Sequence, residues 1–216
     1  MTQNHSVMIR ILIADDHALI RRGLKDILFE EFSEAEITDV IDSESLLQQV
    51  RNNEWDIIIT DLSMPGRSGL EALQEIKQLH PKLPVLVLSA HPEDQYALRV
   101  LKGGASGYLM KESAPEELIT AVRKALIGKK HITPSIAEKL ASAFDIHASQ
   151  LPHEMLSDRE FEVFKMIASG KSVSEIGDIL YLSPTTISTY RARILLKMDI
   201  KNNAGLTLYA VENKIL

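Results

Sequence analysis

Three short apolar runs constrain this chain more than anything else in it. Met8 to Ala14 (MIRILIA), Ile57 to Thr60 (IIIT) and Val85 to Leu88 (VLVL) are continuous and rich in β-branched residues, as expected of strands buried on both faces. Ala35 to Ile41 and Gly107 to Met110 are weaker strand candidates. Between them lie segments with helical spacing, about Ala18 to Glu31, Ser43 to Asn52, Ser68 to His80, Pro92 to Lys102 and Ala114 to Ile127. Strand and helix thus alternate five times. The pattern predicts an α/β fold, a doubly wound five-stranded parallel sheet, because each right-handed crossover must cover one face of the sheet. Ligands of such a sheet bind at the carboxyl ends of its strands.

After Gly128 the pattern changes. Thr133-Pro134 starts a short helix through about Phe144, and the polar stretch Asp145 to Glu154 follows. Beyond it no strand pattern occurs; the segments Asp158 to Ala168, Ser172 to Leu180, Pro184 to Met198 and Ala204 to Asn213 predict a small all-α four-helix domain. Ser157 with Glu160 and Ser172 with Glu175 have the spacing of capping boxes, and Ser183-Pro184 places a capping hydroxyl before a first-turn proline. The expected organisation is a first domain over 1–127, a helical linker over 128–152 and a second domain over 153–216.

The formal charge of −6 is unevenly distributed. From His153 onward eight basic residues balance eight acidic ones, and from Ser183 to Leu216 the count is five basic against two acidic. Contact with a polyanion therefore belongs to the C-terminal end, if anywhere. No apolar run approaches the roughly 18 residues needed to span a bilayer, so no membrane partner is expected. Met1 to Met8 carries no export-signal pattern, and cysteine is absent, which points to a cytoplasmic protein. The histidines His5, His80, His91, His131, His147 and His153 are scattered, and His17 reads as a first-turn helix residue.

The chemistry sits at the strand ends. Asp15 and Asp16 close the first strand, Asp61 the third and Ser89 the fourth, and Lys111 follows the fifth. All five converge on one edge of the predicted sheet. Crowded carboxylates repel one another unless a hard divalent cation with oxygen ligands sits among them, and Mg2+ is the ion expected. Such a pocket would neutralise an incoming phosphoryl group and leave one carboxylate free to attack phosphorus. Any one of these residues alone reads as a polar loop or a helix cap; their conjunction at successive strand ends carries the inference.

The stretches ILIADDH, DLSMPG, LSA and GYLMK resemble, in order and spacing, the motifs of response-regulator receivers, with a flavodoxin/CheY-like fold, over about Met8 to Ile127. The resemblance implies that Asp61 accepts phosphate from a sensor histidine kinase. It also implies that Asp16 ligates magnesium directly, Asp15 mainly through water, and that the backbone carbonyl of Ser63 joins Asp61 in the ligand set. Lys111 and Ser89 match the phosphate-contacting lysine and the switch hydroxyl. Tyr108 matches the switch aromatic, which would turn inward on phosphorylation; it also reads as a partly buried aromatic. Many receivers have proline after the lysine, where this chain has Glu112; the loop is still expected to place Lys111 correctly. Ala90 leaves access to Asp61.

In the C-terminal part, Ile187, Tyr190, Ile194 and Met198 recur at helical spacing, leaving Ser188, Thr189, Arg191, Ala192 and Arg193 outward. Small hydroxyls beside arginines suit a helix in a major groove, and the turn Tyr181-Leu182-Ser183 before it gives helix-turn-helix spacing. The run from Leu156 to nearly the C-terminus resembles the LuxR/NarL (NarL/FixJ) DNA-binding domain, strongest at Leu156, Arg159, Glu160, Val163, Gly170, Ile176, Ser183, Thr186, Ile187, Lys197 and Met198. Ser188 and Tyr190 stand where the family commonly has lysine and histidine, and a subgroup shares the Ser-Thr-Tyr-basic pattern. The resemblance assigns Thr185, Ser188, Thr189 and Ala192 to the groove face and Arg191, Arg193, Lys171 and Lys197 to phosphate or mixed contacts with duplex DNA. Leu206, Leu208 and Val211 of the fourth helix are expected on the scanning helix, Ser172 to Leu180, or at a dimer contact, and a homodimer is expected because single units bind weakly. The whole therefore reads as a two-component transcription regulator and not an enzyme. A magnesium-dependent phosphotransfer enzyme would explain the pocket but not the C-terminal helices, and the chain lacks an Asp-x-Asp nucleophile motif of that kind; an adaptor with a protein-binding tail would explain those helices.

Overall fold

The computed structural model describes residues 8–64, 68–138 and 151–216. The chain divides into two compact units, Met1–Phe144 and Asp145–Leu216.

In the first unit the strands are β1 (Arg10–Ala14), β2 (Glu36–Val40), β3 (Ile57–Asp61), β4 (Val85–Ser89) and β5 (Gly107–Met110). They form one parallel sheet in the order β2-β1-β3-β4-β5. Its helices are α1 (Ala18–Glu31), α2 (Ser43–Asn52), α3 (Gly69–Leu79), α4 (Glu93–Lys102) and α5 (Ala114–Leu126). Side chains alternate across the sheet. Ile11, Ile13, Ile57, Ile59, Leu86, Leu88 and Leu109 form one buried cluster with Leu24 and Leu28 of α1 and Leu118, Ala121, Val122 and Ala125 of α5. Burying each such aliphatic side chain is worth about 1.5–3 kcal/mol, so the continuous apolar runs drive the sheet into the middle layer. Leu12, Ile58, Val85 and Val87 are equally buried and point to the other face by that alternation. Strand order reverses between β1 and β3, which opens the ligand crevice at their carboxyl ends.

Local signals set the helix starts. The Asp42 side chain accepts from Ser45 N before α2, and Ser68 with Glu71 closes a capping box before α3. Residues 134–138 are helical, with Ile136 buried; the rest of the helix expected to run to Phe144 lies outside the described residues. Residues 129–133, read from sequence as linker, instead pack on the edge of the sheet, where His131 pairs with Gly107 in a parallel bridge.

The second unit holds a short 3-10 turn, Pro152–Met155, and helices α6 (Asp158–Ala168), α7 (Val173–Leu180), α8 (Pro184–Lys197) and α9 (Asn203–Glu212). The capping boxes at Ser157 and Ser172 both form, and Ser183 Oγ accepts from Thr186 N with Pro184 in the first turn of α8. Between α7 and α8 the chain turns through Tyr181 in the left-handed region at φ 54°, and Leu182 N donates to Gly177 O at 2.9 Å. A Cβ on Gly177 would lie 2.7 Å from the Leu182 carbonyl oxygen, so only glycine admits so close a turn. α9 packs on α6. Leu206 is buried, whereas Leu208 and Val211 face solvent within this chain; the scanning helix is not their partner. Among the described residues, no helix is long and apolar enough to cross a membrane.

Candidate functional site

The pocket forms because β1, β3, β4 and β5 stop at the same level. Asp61 is the last residue of β3 and Ser89 the last of β4, and both are buried, as is Asp15. Lys111 reaches in from the end of β5, its Nζ 2.8 Å from Asp61 Oδ2 and 2.7 Å from Asp15 Oδ2. Glu112 after it therefore does not displace Lys111, and no cis peptide bond occurs among the described residues. Asp61 Oδ1 accepts from Ser63 N at 3.1 Å, which turns the chain at Ser63 back toward the carboxylate.

Asp15 Oδ1 accepts from His17 N at 2.7 Å. Its other oxygen, Oδ2, is buried and faces Lys111 Nζ at 2.7 Å. Asp16 lies more exposed, with Oδ1 2.7 Å from His17 Nδ1. Asp15, Asp16, His17 and Asp61 each bring a ligand-type atom within 4.8 Å of the others. His17 thus belongs to the cluster, although from its position alone it reads as a first-turn helix residue. Three neighbouring carboxylates, two of them buried on a single ammonium, suit a hard cation that prefers oxygen ligands, as Mg2+ does.

Burial pushes the Asp61 carboxyl above its ordinary 3.8, and the Asp15 charge adds to the rise; Lys111 and the Ser63 N–H oppose it without cancelling it. Burial alone would lower Lys111, but the two carboxylates outweigh it and hold the ammonium above its ordinary 10.5. The pocket accordingly holds two buried acids against one buried base, an arrangement short of positive charge.

Around the rim, Ser89 Oγ accepts from His91 N at 3.0 Å, and Ser63 Oγ lies 3.0 Å from His91 Nε2. Tyr108 is fully buried, and its hydroxyl donates to His91 O at 2.7 Å. The ring expected to turn inward on phosphorylation is already inside in this structure. His91 is the residue that sequence reasoning passed over here: its ring stacks on Tyr96 with centroids 4.9 Å apart, and its main chain joins Ser89 to Tyr108.

In the second unit, α8 buries Ile187 and Ile194, with Met198 buried at its C-cap and Tyr190 partly covered. Thr185, Ser188, Thr189, Ala192 and Arg193 are exposed on its outer side, and Lys171 is exposed before α7. Two cations of the expected set are engaged within the unit. Arg191 Nε donates to Asn203 Oδ1 at 2.6 Å, and Lys197 Nζ lies 2.5 Å from Glu160 Oε2. Arg159 is buried and donates to Leu180 O at the end of α7, at 3.2 Å. Lys197, expected at a polyanion, thus also braces α8 through its pair with Glu160.

Residues 11–123 match the family of response regulator receiver domains, and residues 154–210 match the bacterial regulatory proteins of the luxR family. The chain belongs to the response regulators. Its receiver is followed by a LuxR-type DNA-binding domain, and the family is one of transcriptional regulators, not enzymes. This response regulator is 34% identical over 207 residues to response regulator UvrY of Escherichia coli strain K12, covering 95% of each chain. It is 35% identical to response regulator GacA of Pseudomonas aeruginosa, covering 95% of this chain and 97% of that one. Among solved structures it is similar to RcsB of Salmonella enterica serovar Typhimurium, bound to promoter rprA in the presence of phosphomimetic BeF3−, with TM-score 0.62 and 28% identity over 93% of this chain and 98% of that one.

Proposed function

We propose that this response regulator is phosphorylated on Asp61 by a sensor histidine kinase, dimerises, and binds promoter DNA through α8 to control transcription in the cytoplasm. The observation that carries the reading is the Asp61 carboxylate, 2% exposed at the end of β3, with Lys111 Nζ at 2.8 Å and two further aspartates beside it. An Asp61 oxygen attacks the phosphorus of a phosphohistidine; the N–P bond breaks, its electron pair stays on the imidazole, and an acyl phosphate results. Lys111 balances the charge that accumulates on the phosphoryl oxygens, and the Ser89 hydroxyl, on the next strand, donates to one of them. Asp15, Asp16, Asp61 and the Ser63 carbonyl would hold Mg2+, which supplies charge neutralisation when bound.

In the DNA-binding unit, Thr185, Ser188, Thr189 and Ala192 would face base edges, and Arg193 and Lys171 the phosphates, with Arg191 and Lys197 holding α8 in place. The RcsB structure on promoter DNA supports this use of the fold. Exposed Leu208 and Val211 offer an apolar face of α9 for a twofold contact between copies. Acetyl phosphate labelling followed by mobility-shift electrophoresis tests the acceptor: wild type is modified and Asp61→Asn is not. Equal labelling of both proteins would overturn the assignment. Binding to duplex DNA that weakens steeply with salt distinguishes a DNA reader from a protein-binding adaptor.

A further inference from the structure

β5 is an edge strand, and the segment after α5 returns to cover it. His131 bridges Gly107, and its N–H donates to Ser106 O at 2.7 Å. The approach is so close that a Cβ on Gly107 would lie 3.0 Å from His131 Cβ and 3.1 Å from its carbonyl oxygen. Two residues on, Thr133 Oγ1 donates to Glu93 Oε1 at 2.7 Å while accepting from Ile136 N at 3.3 Å. One hydroxyl therefore ties the start of α4 to the first turn of the helix that follows, using both its donor and its acceptor. Ile136 is buried behind it.

These contacts close a circuit with the rim of the pocket. Tyr108 holds the His91 carbonyl; two residues later Glu93 holds Thr133; two residues before Thr133, His131 holds Gly107, which precedes Tyr108 in the chain. Turning Tyr108 outward breaks the first link and disturbs Gly107 at the last. Shifting the 90–93 loop toward a phosphoryl group moves Glu93 with it.

We propose that the inward Tyr108 and the docked segment 129–136 are one conformational state, so that phosphate on Asp61 is read by the chain leading to the DNA-binding unit through Thr133–Glu93 and His131–Gly107. This rests on the phosphorylation of Asp61 proposed above. Linkage makes the effect reciprocal: whatever loosens the docked segment weakens binding of a phosphoryl mimic by the same factor.

The test is amide hydrogen exchange on the full-length protein in magnesium buffer, with and without beryllofluoride. In wild type, beryllofluoride slows exchange across residues 131–136 by about tenfold, a coupling of ordinary size. Thr133→Val loses that gain and binds beryllofluoride about tenfold more weakly, whereas Thr133→Ser and Glu93→Gln, which keep the hydroxyl and the acceptor oxygen, behave as wild type. Slowed exchange around Ser89, His91 and Tyr108 without any change over 131–136 overturns the inference and leaves the phosphorylation reading standing. So does a Thr133→Val protein that responds like wild type. No response anywhere, with Asp61→Asn indistinguishable from wild type, overturns both.

Discussion

Replacing Lys111 by methionine takes away the ammonium shared by two buried carboxylates while keeping most of the side chain's packing volume. At 2.7 and 2.8 Å, each pair has a gross attraction of about 6 kcal/mol at an effective dielectric near 20. Desolvation of the lysine offsets much of this, and removing one member of a buried pair costs about 3–5 kcal/mol because the other charge is left uncompensated. We expect Lys111→Met to lose that amount at pH 8 in EDTA. The pH dependence follows from Asp61, whose carboxyl is held above its ordinary 3.8 by burial and restrained by Lys111. With the restraint gone it rises further, so the folded state binds a proton that the unfolded chain releases. The penalty is then present above the folded pKa and is relieved as pH falls through it toward the ordinary 3.8, so the variant regains stability on acidification. Saturating magnesium restores about 3 kcal/mol at a hundredfold excess over Kd. Urea unfolding followed by fluorescence of Trp55, the sole tryptophan, measures each quantity. A loss below about 1 kcal/mol, against the 3–5 expected for a buried pair, together with no gain on acidification, would refute the electrostatic account. In the same assay Asp61→Asn should move the opposite way, gaining about 1 kcal/mol because a carboxylate kept for function is removed.

Three further outcomes concern the second unit. Lys197→Met should cost about 1 kcal/mol, since the lysine is partly exposed and screened. Glu160 lies below its ordinary 4.5 because the bonds from Lys197 and Ser157 outweigh burial; its contribution is therefore present above 4.5 and lost as pH falls through the lower folded value, and thermal melts of wild type and variant should converge there. Ser183→Ala, which removes the cap of α8, should destabilise by about 1 kcal/mol in urea. Arg193→Ala should weaken DNA binding uniformly across sequences and reduce the slope of log affinity against log salt by about one, read by fluorescence anisotropy; an unchanged slope would remove Arg193 from the phosphate contacts.

The sheet was legible because strands buried on both faces leave continuous β-branched runs, and Asp15, Asp61, Ser89 and Lys111 were legible because each follows or ends such a run. What the pattern lacks is partners. Residues 129–133 form a single bridge with no apolar alternation, so nothing in their sequence marks them as edge cover. Lys197 and Arg191 look like any outward cations of an amphipathic helix, and only the fold shows Glu160 and Asn203 waiting for them. Tyr108 reads as a switch aromatic or as a partly buried one, and the residue type alone does not fix which way its ring faces. Leu208 and Val211 fit a helix-period stripe, but a four-helix unit this small has too little interior to cover both.

The bracing of α8 also bears on how the protein must engage DNA. Within that helix only Ile187 and Ile194 are fully buried, with Met198 at its C-cap, and ion pairs and polar contacts on its flanks add to that packing. Lys197 binds back to α6 and Arg191 to the start of α9. The side chains left outward are mostly small and uncharged, with Arg193 and Lys171 nearby. Each phosphate neutralised contributes a counterion-release slope of about 0.9, so every outward cation of this unit counts toward its affinity. In the dimer proposed above a second unit on one site would double these contacts, and the monomer–dimer equilibrium would be the point of control. A receiver that shifts this equilibrium by even about 1.4 kcal/mol changes the dimerisation constant tenfold, without altering any residue that touches DNA.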